Sequence, residues 1–324
     1  MKGDRVVVTG GAGFIGSHLA DALLGRGASV CVVDDLSSGR EENLAAVRQE
    51  IDFVRGDVRD PELLDRCFAG ARFVFHQAAV VSVAASVEDP ERSASVNLGG
   101  TLVVLQAARR CGVERVVFAA SAAAYGAAPR LPCREEDPPD PRSPYALEKV
   151  AGEYYCRLYT GLYGLPAVAL RYFNVYGPRQ RPDSDYASVI PAFVDACLAG
   201  RNPVIYGDGG QTRDFVFVGD VVRANLLAAT APAAAGQVLN VASGRQVSLV
   251  ELLAHVQAAC GTALEAVHAA ERPGDVRHSC GDPGRAAEVL GFRAEVDLGE
   301  GLRRTLRGLA GAAASRTARM QAGI

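Results

Sequence analysis

The sequence predicts an α/β fold, a doubly wound parallel sheet followed by a smaller mixed α/β lobe. Three observations predict it. Short apolar strand patterns alternate with helical patterns through the first half of the chain. A glycine-rich turn, Gly10–Gly16, follows the first strand directly. Beyond Gly177 the pattern loosens and prolines separate shorter elements, which indicates a second lobe of mixed composition.

Runs of β-branched and other apolar residues predict the strands of the first half, at Arg5–Thr9, Ser29–Val33, Ile51–Val54, Phe73–His76, Arg115–Ala119 and Ala167–Arg171. Helical patterns predict the helices, from the glycine-rich turn to Leu24 and at Glu41–Gln49, Pro61–Phe68, Pro90–Cys111, Tyr145–Tyr163, Val189–Leu198, Val218–Ala229 and Leu249–Cys260. Since a helical crossover returns the chain to the edge where the previous strand began, we expect these strands to form one parallel sheet.

Composition bounds the class of protein. With 324 residues and 49% hydrophobic content the chain can bury a large core. We expect a first lobe over 1–175, a second over 176–308 that is partly interleaved with it, and a disordered tail over 309–324. A net charge of −3 gives no electrostatic reason to expect nucleic acid.

The compartment is also predicted from the sequence. No leader pattern and no apolar run of about 18 residues occurs, so we expect no membrane partner and a cytoplasmic location. The eight cysteines include no Cys-x-x-Cys pair, which favours free thiols in a reducing compartment. They show no metal-ligand spacing, so we expect no metal site.

The glycine-rich turn has the form of a dinucleotide site. Gly10, Gly13 and Gly16 permit a tight turn, close approach of the backbone to a pyrophosphate, and close packing of helix on strand. The helix that opens at Phe14 and Ile15 would present its free N–H groups to the phosphates. With a strand before it and a helix after it, this turn predicts a Rossmann-type site.

An acid at the end of the second strand indicates which dinucleotide binds. Asp34 can accept hydrogen bonds from an adenine-ribose diol and would repel a 2′-phosphate, so the sequence favours NAD over NADP. Asp35 is a possible substitute for Asp34 in this role. Arg40 is near enough to keep NADP open as the alternative.

A tyrosine and a lysine four residues apart predict acid–base chemistry. Of 34 Lys+Arg residues only Lys2 and Lys149 are lysines, and in so arginine-rich a chain an interior lysine marks a place where a compact ammonium fits. Tyr145 lies one helical turn before Lys149 on the same face. Because an ammonium stabilises phenolate, we expect the pKa of Tyr145 to fall from about 10 toward neutrality. A solvated surface lysine is the alternative.

Many motifs of the chain occur together, and in the same order, in one family. The chain resembles the extended short-chain dehydrogenases/reductases, in the branch of nucleotide-sugar epimerases and dehydratases. The resemblance runs from residue 5 to about residue 305 and rests on Thr9–Gly16, 34–39, 56–58, His76–Ala79, Asn97, Ser121–Gly126, Tyr145–Lys149, Arg171–Pro178, Gly207–Asp214 and 272–275.

The resemblance implies an NAD site and a UDP-sugar site. It implies catalysis by Ser121, Tyr145 and Lys149. It implies cofactor contacts at Gly10, Gly13, Phe14, Ile15, Gly16, Asp34, Asp35, Ser38, Gly39, Asp57, Val58, Gln77, Ala78, Ala79, Asn97, Tyr145, Lys149 and Tyr172. It implies substrate contacts at Val81, Ser121, Tyr145, Asn174, Arg181, Val189, Ile190, Tyr206, Arg213, Arg272, Asp275 and Ser279, with Asn174, Arg213 and Arg272 on the diphosphate.

Two alanines select the reaction within this resemblance. Sugar 4,6-dehydratases of the branch carry Asp and Glu after the serine, whereas Ala122 and Ala123 follow Ser121 here and cannot do acid–base work. The resemblance then implies 4-epimerisation of a UDP-hexose: hydride passes from sugar C4 to NAD, the 4-keto sugar rotates, and hydride returns to its other face. A net NAD-dependent oxidoreductase and a non-catalytic dinucleotide-binding module stay open as alternatives.

Arg181 bears on the choice of sugar. Its position after Gly177-Pro178-Arg179-Gln180 resembles UDP-glucuronate 4-epimerases, in which this arginine meets the C6 carboxylate. Asn174 and Ser279 instead resemble the epimerases of UDP-glucose and UDP-N-acetylglucosamine. We therefore expect a UDP-hexose 4-epimerase, and we favour UDP-glucuronate slightly as its substrate.

The resemblance also implies a homodimer. Relatives pair two helices of each subunit into a four-helix interface, and the corresponding patterns here are Pro90–Cys111 and Tyr145–Tyr163. Both patterns carry apolar residues beyond one core-facing stripe.

Overall fold

The strands of the computed structural model form one large sheet and three two-stranded sheets within the described residues, which are 1–128, 130–180, 189–271 and 276–309. The strands are β1 (Arg5–Thr9), β2 (Ser29–Asp34), β3 (Asp52–Arg55), β4 (Phe73–His76), β5 (Arg115–Ser121), β6 (Ala167–Tyr172), β7 (Asn174–Tyr176), β8 (Val204–Tyr206), β9 (Thr212–Arg213), β10 (Phe215–Phe217), β11 (Val238–Val241), β12 (Val247–Ser248) and β13 (Val267–Ala269).

The α-helices are α1 (Phe14–Leu24), α2 (Pro61–Phe68), α3 (Val83–Glu88), α4 (Pro90–Ala94), α5 (Thr101–Arg110), α6 (Pro144–Tyr163), α7 (Val189–Leu198), α8 (Val218–Thr230), α9 (Leu249–Cys260) and α10 (Gly284–Leu290). A last helix covers 298–309, so the predicted tail begins too early: Leu309 is helical, and residues 310–324 lie outside the described residues. No helix in the described ranges combines the length and apolarity needed to cross a bilayer.

The large sheet has seven parallel strands in the order β11-β6-β5-β4-β1-β2-β3, which confirms the predicted fold class. Successive residues of a strand point to opposite faces, and both faces are covered by helices. In β1, Val6 and Val8 pack with α1 and α8, whereas Val7 packs with α2, α5 and α6. The order reverses between β1 and β4, and at such a switch point the carboxyl ends of parallel strands leave a crevice for ligands.

The second half of the chain forms one hydrophobic cluster of its own and also packs on the large sheet. Residues of α7, α9, β10 and the last helix pack around Phe193, Leu252 and Leu302. However, α8 packs on the large sheet and β11 extends it beside β6. Elements from beyond residue 176 therefore interleave with those before it, and the division at residue 175 stays a prediction.

One predicted helix is wrong. Over Glu41–Gln49 the structure has a single 3₁₀ turn, Glu41–Leu44, followed by further turns. The cause is tethering to the glycine-rich turn: the Arg40 N–H and the Asn43 side-chain amide both donate to the Ala12 carbonyl, at 3.0 and 2.8 Å. This anchoring holds the segment against the glycine-rich turn, where turns with i→i+3 hydrogen bonds replace an α-helix.

The predicted helix over Pro90–Cys111 is interrupted. A π-helical stretch, Ser95–Gly100, lies between α4 and α5 and contains the buried Asn97. The Asn97 side chain bonds to the Val80 backbone on one side and to Glu148 of α6 on the other. A local widening of this kind lets a helix aim one side chain at a functional site.

Candidate active site

The turn after β1 brings its backbone against the loop after β4. Gly10 has φ 67°, and a Cβ there would lie 2.6 Å from the Ala78 nitrogen. A Cβ on Gly16 would lie 2.2 Å from the Gly10 carbonyl oxygen, so α1 can pack this closely only on glycine. Gly13 caps α1 without any side-chain acceptor, which leaves the first-turn N–H groups at Phe14 and Ile15 directed to the crevice. This cradle fits a pyrophosphate.

The predicted ribose acid also holds the loop around it. Asp34 is buried, and its two oxygens accept from Ala12 N at 2.9 Å and Leu36 N at 2.8 Å. Burial raises its pKa, while the two backbone hydrogen bonds oppose the rise. A carboxylate oxygen accepts more than one hydrogen bond, so Asp34 keeps acceptor capacity for a diol. The neighbouring Asp35 is exposed and bonds to Ser37, which leaves Asp34 as the better placed of the two.

The other predicted cofactor residues lie on loops at the same edge of the sheet, with Ser38 and Gly39 after β2, Asp57 and Val58 after β3, and Gln77, Ala78 and Ala79 after β4. The Asp57 carboxylate is paired with Arg59 at 2.5 Å, and this contact lowers the pKa of Asp57. The structure thus brings the predicted cofactor residues of four successive segments to one crevice.

Ser121, Tyr145 and Lys149 come together at the carboxyl end of β5. Ser121 is the last residue of β5, and its side chain lies beside the Tyr145 phenol, whose pKa it acts to lower. Lys149 is buried, at 4% exposure, and its Nζ donates to the Ala119 carbonyl at 2.8 Å. The Nζ lies 5.8 Å from the centre of the Tyr145 ring and 5.0 Å from that of Phe118. The lysine is therefore no surface charge, and it is held inside the sheet–helix interface.

The start of α6 fixes the orientation of Tyr145. Ser143 caps the helix by accepting from Ala146 N at 3.1 Å, and Pro144 occupies the first turn. The Tyr145 N–H, which no intrahelical carbonyl can reach, donates to Ser86 Oγ at 3.2 Å. Cap and side chain together set where the phenol points.

The predicted lowering of the Tyr145 pKa is not found. Burial raises the pKa of Tyr145, the hydrogen bond with Ser121 opposes this rise, and the charge of Glu148 adds to it. The Lys149 ammonium, which we expected to lower the pKa of Tyr145, donates its hydrogen bond to the Ala119 carbonyl. Burial also lowers the pKa of Lys149 to about 8, because an ammonium loses its hydration there.

Asn97 supports the site from behind. Its Nδ2 donates to Glu148 at 2.6 Å and to the Val80 carbonyl at 3.0 Å, while its Oδ1 accepts from Val80 N at 2.7 Å. Ser93 completes the group by donating to Glu148 at 2.7 Å. Both amide hydrogens of Asn97 are engaged inside the protein. The structure therefore adds a positioning role for Asn97, its predicted contact with the cofactor stays a prediction, and Glu148 and Ser93 are supporting residues that the sequence did not reveal.

Two further predicted cofactor residues share a partner that the sequence missed. Asn225 of α8 is fully buried, and its Oδ1 accepts from Tyr172 Oη at 3.0 Å and from Gln77 Nε2 at 3.2 Å. Gln77 also bonds to Tyr172 directly. Asn225 thus orients two side chains at the mouth of the crevice, and its signal in the sequence was only a polar residue on an otherwise apolar helix face.

A buried histidine carries a hydrogen-bond chain under the crevice. Thr101 Oγ1 donates to the Asn97 carbonyl, so its oxygen accepts from His76 Nε2 at 3.1 Å. His76 Nδ1 is then free to accept from Thr9 Oγ1 at 2.8 Å. Burial lowers the pKa of His76 to about 3, with the charge of Lys149 as second cause, so the ring stays neutral at ordinary pH. This role is structural.

The predicted substrate residues face the crevice to different degrees. Val81, after β4, is 65% exposed, and Asn174, Val189 and Ser279 are half-buried. Tyr206 ends β8 and Arg213 ends β9. Ile190 is a correction: it is buried in the cluster around Phe193, so its side chain offers no surface to a ligand. Arg181, Arg272 and Asp275 lie outside the described residues.

Known proteins share this sequence and fold. A family model described as the NAD dependent epimerase/dehydratase family matches residues 6–242. The UDP-glucose 4-epimerase of Mycolicibacterium smegmatis is 45% identical over 309 residues, covering 93% of this chain and 97% of that protein. The structure of UDP-glucose 4-epimerase with UDP-glucose from Thermotoga maritima has a TM-score of 0.91 at 40% identity, covering 95% of this chain and 99% of that one.

A further solved structure is equally similar. The UDP-N-acetylglucosamine 4-epimerase from Methanobrevibacter ruminantium M1, in complex with UDP-N-acetylmuramic acid, has a TM-score of 0.92 at 38% identity, covering 96% of this chain and 100% of that one. The predicted family, the enzyme class and the predicted cofactor, NAD, are thereby confirmed. By its matching model and its relatives along nearly the whole chain, this protein belongs to the NAD dependent epimerase/dehydratase family.

Proposed function

We propose that this protein interconverts the two C4 epimers of a UDP-hexose and regenerates its NAD in each turnover. One observation carries the proposal. Ser121, Tyr145 and the buried Lys149 come together at the carboxyl end of β5, and the residues that follow Ser121 are Ala122 and Ala123. The site can therefore move one proton on and off a sugar hydroxyl, and it has no acid after the serine to eliminate water.

The three polar side chains divide the work on the C4 hydroxyl. The Tyr145 phenolate removes the proton from the C4 oxygen and returns it when the other epimer forms. Ser121 donates a hydrogen bond to the same oxygen. Lys149, whose position is fixed by its bond to the Ala119 carbonyl, would hold the nicotinamide ribose of the cofactor. Bound NAD would supply the oxidant for C4 and a further positive charge beside the phenol.

The short turn after Ser121 explains why elimination is disfavoured. Ala122–Tyr125 forms a 3₁₀ turn whose first N–H groups face the serine, and Ala123 N donates to Ser121 Oγ at 3.2 Å. A dehydratase of this family needs carboxyl groups on this turn, and methyl groups stand there instead. Hydride removal and return, without loss of water, is the chemistry that remains.

A product analysis tests the proposal. The protein is incubated with UDP-glucose, UDP-N-acetylglucosamine and UDP-glucuronate in turn, and the anomeric proton signals are followed by NMR. We expect the C4 epimer of at least one sugar with no net change in NADH absorbance. A 4-keto-6-deoxy product would make the protein a dehydratase, and stoichiometric NADH would make it a net oxidoreductase.

The sugar is a finer part of the proposal. Relatives named for UDP-glucose favour a neutral hexose, whereas Arg181 in the sequence favours the carboxylate of UDP-glucuronate. An Arg–carboxylate pair in a closed site contributes about 1.5–3 kcal/mol, which is tenfold or more in kcat/KM. If Arg181→Ala weakens turnover of UDP-glucuronate alone, the contact exists, and equal effects on all three sugars eliminate it.

We also propose the homodimer and the cytoplasmic location. On α6 the apolar side chains of Leu147, Tyr154, Leu158 and Leu162 are exposed, the last by 70%, and their spacing of seven, four and four residues places them on one face. Val87 of α3 extends this patch. A contiguous exposed apolar face of this size favours burial against a second copy. The eight cysteines are free thiols, which suits a reducing compartment.

A further inference from the structure

A fully buried carboxylate joins β9 to β10. Asp214 stands between Arg213 and Phe215 at 0% exposure. Its Oδ1 accepts from Ser243 N at 2.8 Å and from Ser243 Oγ at 2.6 Å. Its Oδ2 accepts from Gly244 N at 2.9 Å and from Gly281 N at 3.2 Å. These four N–H and O–H donors, with the Cys280 thiol at 3.8 Å from Oδ2, occupy the acceptor sites of the carboxylate, so it has no position left for a ligand.

The donors belong to two segments that are distant in sequence. Ser243 and Gly244 follow β11, the edge strand of the large sheet. Gly281 ends a segment that runs beside β9, where Thr212 N donates to the Arg277 carbonyl at 3.0 Å and Ser279 N donates to the Thr212 carbonyl at 3.1 Å. The carboxylate therefore fastens the second lobe to the carboxyl edge of the sheet, where the catalytic residues lie.

These segments carry the proposed diphosphate contacts. Arg213 precedes Asp214 directly, and its guanidinium donates to the carbonyls of Thr212 at 2.9 Å and Arg277 at 3.4 Å. The Asp214 carbonyl accepts from Asn174 N at 2.9 Å. One residue thus ties together the chain at Asn174, at Arg213 and beside Ser279.

We propose that Asp214 is a positioning residue for the part of the site that binds the diphosphate of the nucleotide sugar. This inference rests on the proposed function. Asp214 acts through Asn174 and Arg213 and touches neither sugar nor phosphate. Because internal donors take up its negative charge, Asp214 can stand beside a site for a dianion with its repulsion of the phosphates reduced.

An asparagine at this position tests the geometry with little change in shape. Its side chain has one carbonyl oxygen, and its NH2 group would face two of the four donors. Whichever way the amide lies, at least one backbone N–H group then loses its acceptor, that of Ser243 or those of Gly244 and Gly281, and the segments that hold Arg213 and Ser279 shift. We expect Asp214→Asn to raise the Kd for UDP, and the KM for the UDP-sugar, at least tenfold, with kcat at saturation within about threefold of wild type and the NAD affinity unchanged.

Asp220→Asn is the matched control. Asp220 is also buried, and it also accepts from two backbone N–H groups, those of Glu295 and Val296, and pairs with Arg223, none of which is a proposed substrate residue. We expect it to lower the melting temperature and to leave the Kd for UDP unchanged. If Asp214→Asn also lowers only the melting temperature, Asp214 is structural and the inference is overturned.

Ser243→Ala decides the matter if Asp214→Asn does not fold. It removes one of the four donors and leaves the carboxylate in place. A Kd for UDP raised at least twofold, by calorimetry, supports the inference, and a wild-type Kd overturns it. Wild-type protein that neither binds UDP nor epimerises a UDP-sugar would instead refute the proposed function itself, so the two failures are distinguishable.

Discussion

Lys149→Met should abolish turnover and yet make the folded protein more stable than wild type near pH 7. Burial lowers the pKa of Lys149 from 10.5 to about 8, so the folded protein binds this proton more weakly than the unfolded chain does. Below pH 8 both states hold the proton, and the folded state carries the full cost of the buried ammonium. A difference of about 2.5 pKa units corresponds to roughly 3 kcal/mol at pH 7.

The sign of the pH dependence follows from proton linkage. Between pH 8 and 10.5 the unfolded chain binds more protons than the folded protein, so wild-type stability rises with pH across this window. The cost falls by about 2.5 kcal/mol from pH 7 to pH 10. Methionine has no proton to exchange, and the hydrogen bond to the Ala119 carbonyl persists in the neutral amine, so the difference between the two proteins isolates the ammonium. Burial raises the pKa values of Tyr145 and Cys156, and because both residues are present in both proteins, their contributions largely cancel in the difference.

The assay is urea denaturation of NAD-free wild type and Lys149→Met at intervals from pH 7 to pH 10. We expect the stability of wild type relative to the variant to increase by about 2.5 kcal/mol over this range, and kcat of the variant to fall at least a hundredfold. A stability difference that does not vary with pH would show that the ammonium is hydrated in solution, and the argument from its burial would fail.

Three other predictions follow from the same contacts. Tyr145→Phe should lower kcat about 10²- to 10⁴-fold with KM little changed, since shape is kept and the proton acceptor is lost; near-native kcat would sink the assignment. Arg171→Met should cost about 3–5 kcal/mol in urea unfolding, because it leaves Glu153 charged and unpaired where both side chains are 4% exposed; a loss below 1 kcal/mol would mean that water reaches the pair. Leu158→Asp should shift the mass in sedimentation from dimer toward monomer, with Arg157→Gln as the control for an equal change in net charge; a monomeric wild type at micromolar concentration contradicts the homodimer.

The elements that the sequence predicted well are those set by local pattern. β1 and β4 have the predicted bounds, and β2, β3, β5 and β6 differ from theirs by one or two residues, because a buried parallel strand is a short apolar run bounded by polar residues. β11 was missed: Val238–Val241 has four residues and includes Asn240, and its place in the sheet is decided by pairing with β6 rather than by its own composition. Such non-local pairing leaves no local signal.

The grouping of Ser121, Tyr145 and Lys149 was predictable because Tyr145 and Lys149 are only four residues apart and Ser121 lies within a continuous motif. The side chains that support them were not predictable. Asn225 meets Gln77 across 148 residues of sequence, and Glu148 meets Ser93 across 55. Each is a polar residue on an apolar helix face, which a sequence alone assigns equally well to solvent. Once the fold buries these side chains, each of them must hydrogen-bond to another group of the protein, because a buried polar group without a partner is costly.

Hydrogen-bond capacity separates the side chains that can bind a ligand from those that hold the site in shape. Asn97 has two amide hydrogens, and the protein already uses both, so only its Oδ1, which accepts from Val80 N, keeps capacity for a ligand. Asp34 uses two acceptor positions and keeps others. The same count explains why a change at Asn97 should alter the geometry of Val80 and Glu148 before it alters any bond to NAD. A motif therefore marks where the site lies, and the number of bonds already made inside the protein decides which of its residues face the ligand.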